Sequence, residues 1–260
     1  MEYRKKLGQN FLVDQSVINE VVKAAQINKR DTIVEVGAGT GVLTRPLAEK
    51  ARKVIAVEID KDLIPELQTN LKGLPTKSSL ASGGENVEIV NEDVLKLEIG
   101  NWKLADFKVI GSIPYQITSP LIHQLLKLKN RPKSITIVVQ KEVAEKIVAK
   151  PPSATYLSNF VANFGQAEII RVIKPNAFLP QPKVDSALLH ITLDSTPHVP
   201  DAGRFERFLH HGFVQPRKML NKRFPKELLQ KIGIDPQRRP QTLGFEEWVK
   251  LFKAVKEKAR

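Results

Sequence analysis

Cysteine is absent from all 260 residues. Disulfides, thiolate metal sites and cysteine nucleophiles are therefore excluded, and the absence suits a reducing compartment, which makes the cytoplasm the expected location. No apolar run approaches the roughly 18 to 20 residues that span a bilayer, so no membrane association is expected. The amino-terminal MEYRKKLGQNFL carries basic residues without an apolar stretch behind them, unlike a secretory signal. No internal repeat is evident, and His123, His190, His198, His210 and His211 show no metal-ligand spacing, so no metal is expected. Acidic side chains are in deficit, 28 against 41 basic, for a formal charge of +13. The deficit is uneven: residues 199–260 hold 15 of the basic and 7 of the acidic residues, a net +8. Such asymmetry points to a polyanionic partner, most simply nucleic acid, because basic groups gain affinity by releasing condensed counterions. A merely solvated basic surface is the competing reading.

What is present suffices for a core. Hydrophobic residues make up 42% of the chain, and this length accommodates one large domain with an appendage. Over the first two-thirds, short β-rich runs alternate with helical patterns: TIVEVG (32–37), KVIAVEI (53–59), VEIVNED (87–93), FKVIGSI (107–113) and SITIVVQ (134–140). That alternation predicts βαβ units in a parallel sheet. AEIIRVI (167–173) and SALLHITL (186–193) flank the proline-rich KPNAFLPQPKVD with no helical pattern between them, which predicts an antiparallel pair and seven strands in all. DLIPELQTNLKG predicts a helix started by Asp62 and ended at Gly73. GLPTKSSLASGGEN (73–86) predicts a mobile surface loop. After about Thr196 the character changes. STPHVPDAG reads as a linker, Pro216 in FVQPRKMLNKRF stands where a helix could restart, and Trp248, Leu251, Phe252 and Val255 recur at helical spacing. The expected organisation is an α/β domain over residues 1–198 and a small basic α-helical domain over 199–260.

VEVGAGTGVLT places Gly37, Gly39 and Gly41 directly after the first run. Glycines there let the backbone approach a ligand at the carboxyl ends of the strands. The dinucleotide fingerprint would need its last glycine at position 42, where Val42 stands, which disfavours a nicotinamide or flavin cofactor. A glycine turn without a ligand is the bland alternative. Glu58 ends the second run, 19 residues beyond Gly39. A carboxylate there can accept both hydroxyl hydrogens of a ribose, or simply face solvent. Asp93 closes the third run, where it could accept from the exocyclic amine of an adenine. Three such features at successive strand ends suit a nucleoside lying across them.

Together with LGQNFL, VIAVEID, NEDVL, IPY, VVQKEVAEKIVA and AFLPQPKVDSALL, these runs occur in the order typical of the ribosomal RNA adenine N6,N6-dimethyltransferases. The chain resembles that family along nearly its whole length, the small-subunit branch more than the erythromycin-resistance branch. The resemblance implies a Rossmann-like class I methyltransferase fold with S-adenosylmethionine as methyl donor. It also implies ribosomal RNA as partner, in a small-subunit precursor particle, with the protein acting as a monomer. By position it implies a donor site built from Gln9, Asn10 and Leu12, from Gly37 and Gly39, from Glu58 and Ile59, and from Asp93 and Val94. The last donor-site position is Ser112, where the family's N-[LI]-P-Y motif begins with asparagine.

GSIPYQITSP (111–120) then acquires a purpose. An adenine amine is a poor nucleophile because its lone pair is delocalised into the ring. Acceptors set against its hydrogens favour a pyramidal nitrogen, and the candidates are the Ser112 hydroxyl and the Ile113 carbonyl. Pro114 stiffens the turn and Tyr115 is expected to stack on the target base. Phe178 resembles the family's second aromatic on the same base. Taken alone, either ring reads more readily as core, and the matched motifs reverse that. A base held between rings has left its stack, so single-stranded or easily opened RNA is the expected substrate. Arg217, Lys218, Lys222 and Arg223 are the expected RNA-docking residues. Three rival functions stand beside this one. Ser112 argues for an assembly factor that binds RNA without transferring methyl groups, a large-subunit enzyme of the erythromycin-resistance type shares the site, and a DNA or small-molecule methyltransferase lacks a use for the basic tail.

Overall fold

The computed structural model describes residues 9–73, 86–102, 104 and 106–258. Of the loop expected over 73–86, residues 74–85 lie outside the described residues. The chain divides into two compact units, residues 1–144 with 168–193, and residues 145–167 with 194–260.

The first unit opens with β1 (Phe11–Leu12), α1 (Gln15–Ala24), β2 (Thr32–Val36), α2 (Thr44–Lys50), β3 (Lys53–Glu58) and α3 (Ile64–Asn70). It continues through β4 (Val87–Asn91), β5 (Phe107–Ser112), α4 (Thr118–Lys127) and β6 (Ser134–Gln140). Helix α5 (Lys141–Val148) crosses into the second unit, which holds α6 (Tyr156–Ala162) and the start of β7 (Gly165–Ile173). The rest of β7, then β8 (Phe178–Leu179) and β9 (Ser186–Leu193), complete the first unit. Seven strands form one sheet in the order β4-β3-β2-β5-β6-β9-β7, and β1 pairs with β8 in a separate two-stranded ladder. The pairs β2–β3, β3–β4, β2–β5 and β5–β6 are parallel, while β9 runs antiparallel to β6. Every residue of β2 is buried, as are all of β6 except Gln140, which is why these strands read as continuous apolar runs rather than alternating ones. Helix α1 buries Val17, Ile18, Val21 and Val22 on one stripe, and Asp14 starts it by accepting from the Ser16 and Val17 amides.

Strand β2 lies between β3 and β5. The chain therefore leaves β2 in one direction through β3 and β4, then returns to its other side as β5, which opens a crevice at the carboxyl ends of the two strands. The pair is unusually tight there. Gly111 sits opposite Val36, and a Cβ on Gly111 would lie 2.2 Å from the Val36 carbonyl oxygen.

The second unit adds α7 (Ala202–Phe213), α8 (Lys226–Lys231) and α9 (Phe245–Lys258). Its core is aromatic. Trp248 is fully buried, and the Phe205 and Phe252 rings meet edge-on at 5.3 Å. Residues 145–167 belong with these helices, so the division differs from the expected break at 198. The cause is a set of contacts by Asn163 and its neighbours: the Val199 amide donates to Asn163 Oδ1 (2.7 Å), His198 N to the Asn163 carbonyl (2.9 Å), and Asp194 N to the Phe164 carbonyl (2.8 Å). The segment read as a linker is thus bonded at His198 and Val199 to Asn163, the residue that follows α6.

Two local expectations are corrected. Asp60, not Asp62, caps the turn before α3, because its side chain accepts from the Asp62 amide while Asp62 already lies inside the 3-10 turn Lys61–Leu63. Helix α3 itself ends at Asn70, three residues short of Gly73. No helix restarts at Pro216; the chain turns through 214–218, extends at Met219 (ψ 153°) and forms the 3-10 turn Leu220–Lys222.

Because the β2–β5 contact leaves no room for a side chain, Gly111→Ala is expected to destabilise the protein by about 3 kcal/mol, the upper range of overpacking. Urea denaturation measures this, and an unchanged midpoint would refute the tight pairing.

Candidate active site

A cleft of about 470 Å³ opens over the carboxyl ends of β2, β3 and β5 in the first unit. Its first wall is the turn after β2. Gly37 has φ +73°, where a side chain is strained, and a Cβ there would stand 3.0 Å from the Ser112 carbonyl oxygen. The amides of Gly37 and Ala38 both donate to the Val57 carbonyl (2.9 and 3.1 Å), which ties the turn to β3. The Phe11 ring covers Gly39, with ring carbons 3.3 Å from where a Cβ would be.

Glu58 ends β3 and is 2% exposed. Its Oε2 accepts from Gly39 N (2.8 Å), and its Oε1 accepts from Asp60 N (2.8 Å) and from Gln9 Nε2 (3.4 Å). Burial pushes this carboxyl above its usual value, the Asp60 and Gly39 amides oppose the shift, and the Asp60 charge adds to it. Oε2 keeps capacity for a further donor, and Oε1 regains it where a hydroxyl replaces the long Gln9 contact. Asp93 also lines the cleft, though two residues beyond the end of β4 rather than closing it. Its Oδ1 accepts from Leu95 N at 3.0 Å, which fixes the carboxylate's direction. Beside these acids, Val94 and Leu12 are buried and Ile59 is 48% exposed, all three on the cleft wall with Gln9 and Asn10.

The opposite wall is the turn after β5. Ser112 is half-buried at the strand end, and Ile113 is buried, its amide directed at the Val138 carbonyl (3.4 Å). Pro114 (φ −55°, ψ 135°) leads into the 3-10 turn Tyr115–Ile117. The Tyr115 ring is half-buried and lines the cleft, and its hydroxyl lies 2.7 Å from Ser186 Oγ. Burial pushes the phenol further up from its usual value, with the Ser186 hydrogen bond opposing. Phe178 reaches the cleft too, but it is only 3% exposed and packs within the core cluster containing Leu12 and Ala177. It therefore offers an edge of wall more than a free face.

All of the expected donor and acceptor residues thus line one cleft. The four expected RNA-docking residues belong to the second unit and differ among themselves. Arg217, Lys218 and Lys222 are exposed, whereas Arg223 is half-buried with its Nε enclosed and unpaired among the described residues. Two side chains escaped the sequence reading. Phe11 stood inside the quoted LGQNFL and carried a signal. Glu35 sat in an otherwise apolar strand, and its place in TIVEV was the available clue. It is 0% exposed, and neither carboxyl oxygen has a hydrogen-bond partner among the described residues. Burial pushes its pKa from 4.5 to about 8, the nearby Thr44 hydroxyl opposing and the Glu58 charge adding. Among the described residues no group of His, Asp and Glu could hold a metal ion, and no helix is long and apolar enough to cross a membrane.

Comparison with known proteins places these features in a family. Residues 1–257 match the family model described as ribosomal RNA adenine dimethylase. The chain is 39% identical to ribosomal RNA small subunit methyltransferase A of Clostridium botulinum (strain Loch Maree / Type A3), covering 98% of this chain and 94% of the relative. It is 38% identical to the protein of the same name from Alkaliphilus oremlandii (strain OhILAs), covering 95% and 90%. Among solved structures, the 23S rRNA methyltransferase ErmE superposes with a TM-score of 0.77 at 27% identity, over 95% of this chain and all of that one. A dimethyladenosine transferase from Plasmodium falciparum shares the fold at a TM-score of 0.82 and 24% identity, over 96% and 98%.

The buried Glu35 has a measurable consequence. Its folded-state pKa of about 8 exceeds the ordinary 4.5, so the native state binds more protons than the unfolded one between those values. Stability therefore falls as pH rises through that window, with a limiting slope of about 1.4 kcal/mol per pH unit. Glu35→Gln removes this slope. The midpoint of thermal unfolding of the variant is expected to gain on the parent steadily from pH 5 to pH 8. Parallel profiles would show that Glu35 is ionised in the fold.

Proposed function

Because this chain belongs to the ribosomal RNA adenine dimethylase family, we propose that it transfers two methyl groups from S-adenosylmethionine to the N6 amine of adenosines in small-subunit ribosomal RNA. In this reading it acts as a monomer, in the cytoplasm, on a precursor of the small subunit. The observation that carries the reading is the contact between the two turns at the β2–β5 crevice, where Gly37 abuts the Ser112 carbonyl. A donor held on one turn and an amine held on the other are neighbours by construction.

The residues present fit the donor. The Glu58 carboxylate, aimed by the Gly39 and Asp60 amides, suits the ribose hydroxyls, and Asp93 suits the adenine amine. Gly37 lets the backbone approach closely, while Asn10, Leu12, Ile59 and Val94 line the remaining wall beside Gln9. When bound, S-adenosylmethionine supplies an electrophilic sulfonium methyl group. The chain's own task is to aim the weak nucleophile. The Ser112 hydroxyl and the Ile113 carbonyl accept from the amine hydrogens, which favours a pyramidal nitrogen without prior deprotonation. Tyr115 supplies the stacking face, a contact worth about 1–3 kcal/mol, Pro114 sets the turn, and Phe178 closes the side. Holding both partners in line is worth on the order of 7–11 kcal/mol. A second transfer requires the base to be held with only one amine hydrogen left. A single hydroxyl acceptor beside a carbonyl tolerates that loss.

In the helical unit, Arg217 and Lys218 project from the exposed stretch 214–219 and Lys222 follows it. Val214 (63% exposed) and Met219 (43%) flank the charges. These cations bind RNA phosphates, with the apolar side chains against sugars or bases; Arg223, half-buried, supports the turn instead.

Labelled-methyl transfer to small-subunit RNA lacking the modification, read by mass spectrometry of the product, tests the whole reading; donor and RNA binding without transfer would favour the assembly-factor alternative. Ser112→Ala is expected to slow both transfers by about 10², the cost of losing one preorganised group aimed at the charge that develops on the amine, while Ser112→Asn retains them. An unaffected Ala variant removes the serine from the chemistry. Separately, Ala at Arg217, Lys218 and Lys222 together is expected to weaken RNA binding at all sequences and to lower the salt slope by about one unit per lost contact, leaving donor affinity unchanged. Calorimetry and salt titration measure the two effects, and an equal fall in donor affinity would mark the cluster as structural.

A further inference from the structure

We propose that Ser186 is a positioning residue for methyl transfer: its hydroxyl holds the far end of the Tyr115 ring and so sets where that ring stands against the target adenine. The inference rests on the assignment of Tyr115 as the stacking surface and adds the residue through which that surface is oriented.

The geometry is specific. Ser186 is the first residue of β9, 0% exposed, and paired across the sheet with Gln140. Its backbone is anchored on both sides. The preceding residue, Asp185, receives the Lys141 amide on its carbonyl at 3.0 Å and the Lys174 ammonium on its carboxylate at 2.8 Å. Tyr115, by contrast, stands on a three-residue 3-10 turn whose preceding Pro114 provides no side-chain cap. The 2.7 Å contact between Tyr115 Oη and Ser186 Oγ holds the tip of the ring. Because Oη lies on the axis of the second side-chain torsion, the contact limits swing about the first torsion, and it ties the ring to a sheet strand. A buried phenol hydroxyl needs such a partner in any case. What makes the pair more than a satisfied polar contact is its placement, because the ring whose tip it fixes lines the cleft. One segment of chain, from Lys174 to Ser186, thus carries both Phe178 and the group that orients Tyr115.

The test measures methyl transfer to unmodified small-subunit RNA by the full chain, with donor affinity by calorimetry and thermal unfolding alongside, for Tyr115→Ala, Tyr115→Phe, Ser186→Ala and the Tyr115→Phe/Ser186→Ala pair. Loss of one orienting hydrogen bond is expected to lower kcat about fivefold to tenfold in either single variant. The double variant should be no slower than the slower single, since both remove the same contact. Tyr115→Ala should fall much further, and donor affinity should hold throughout. Should Tyr115→Phe and Ser186→Ala lower only the unfolding temperature while Tyr115→Ala still abolishes transfer, the positioning role is overturned and stacking stands. Full activity of Tyr115→Ala would overturn the stacking assignment itself. Additive losses in the double variant would show that the two hydroxyls act independently, against the proposal. If Ser186→Ala fails to fold, Tyr115→Phe removes the same hydrogen bond from the cleft side and decides alone.

Discussion

The close approach of β2 and β5 is the constraint on which the rest of the molecule depends. Two parallel strands that the chain reaches by departing in opposite directions leave a crevice at their ends, and here the strands come together without side chains between them at Val36 and Gly111. The turns that follow inherit this proximity. Gly37 and the Ser112 carbonyl are in contact because their strands are. Most of what a transferase must achieve is relative placement of two reactants, and in this fold placement is a property of adjacent backbone, not of long side chains reaching across a gap.

Backbone also does much of the electrostatic work. Glu58 is taken out of water, which by itself favours its neutral form, yet two main-chain amides point at its oxygens. The competition leaves an acceptor on the cleft wall with lone-pair capacity to spare. Glu35, deeper in β2, has no hydrogen-bond partner for its carboxyl oxygens among the described residues and is pushed toward its neutral form by burial, with the Glu58 charge adding. Two glutamates on neighbouring strands therefore differ in character because one ends its strand within reach of the Gly39 and Asp60 amides and the other lies in mid-strand. That difference follows from strand position.

How far this was legible depended on the range of the interaction involved. The sheet strands were readable because buried parallel strands are nearly continuous apolar runs, as TIVEV and SITIVVQ are. Glu58 and the glycine turn were readable because strand ends are where such a fold binds ligands. The pairing of β1 with β8 was not, since two residues have no periodicity. Assignment of α6 to the helical unit escaped because it rests on Asn163 meeting Val199, 36 residues away. Asp60 and Asp62 compete for one cap at a spacing of two, and only the turn geometry decides between them. Arg223 reads like its basic neighbours until burial separates it. Ser186 stood inside the quoted AFLPQPKVDSALL, but its role was not legible there, because a serine opening a strand is common and its partner lies 71 residues back.

The wall between the amino-terminal segment and Phe178 shows why the segments that hold the shortest strands nonetheless carried recognisable motifs. Phe11 faces Leu179 and Leu12 faces Phe178 in the β1–β8 ladder, with the Val13 and Asp14 amides both directed at the Ala177 carbonyl. A ladder this short has little stability of its own. What fixes it is the burial of Leu12 and Phe178, at 5% and 3% exposure, in one core cluster with Ile18, Ala38 and Leu188. The same two side chains line the cleft. Core packing and site construction are therefore the same contacts here, and a change at either residue acts on both. LGQNFL and AFLPQPKVDSALL stand out as motifs for this reason: their apolar residues must fit a core and a cleft together, a stricter condition than either alone.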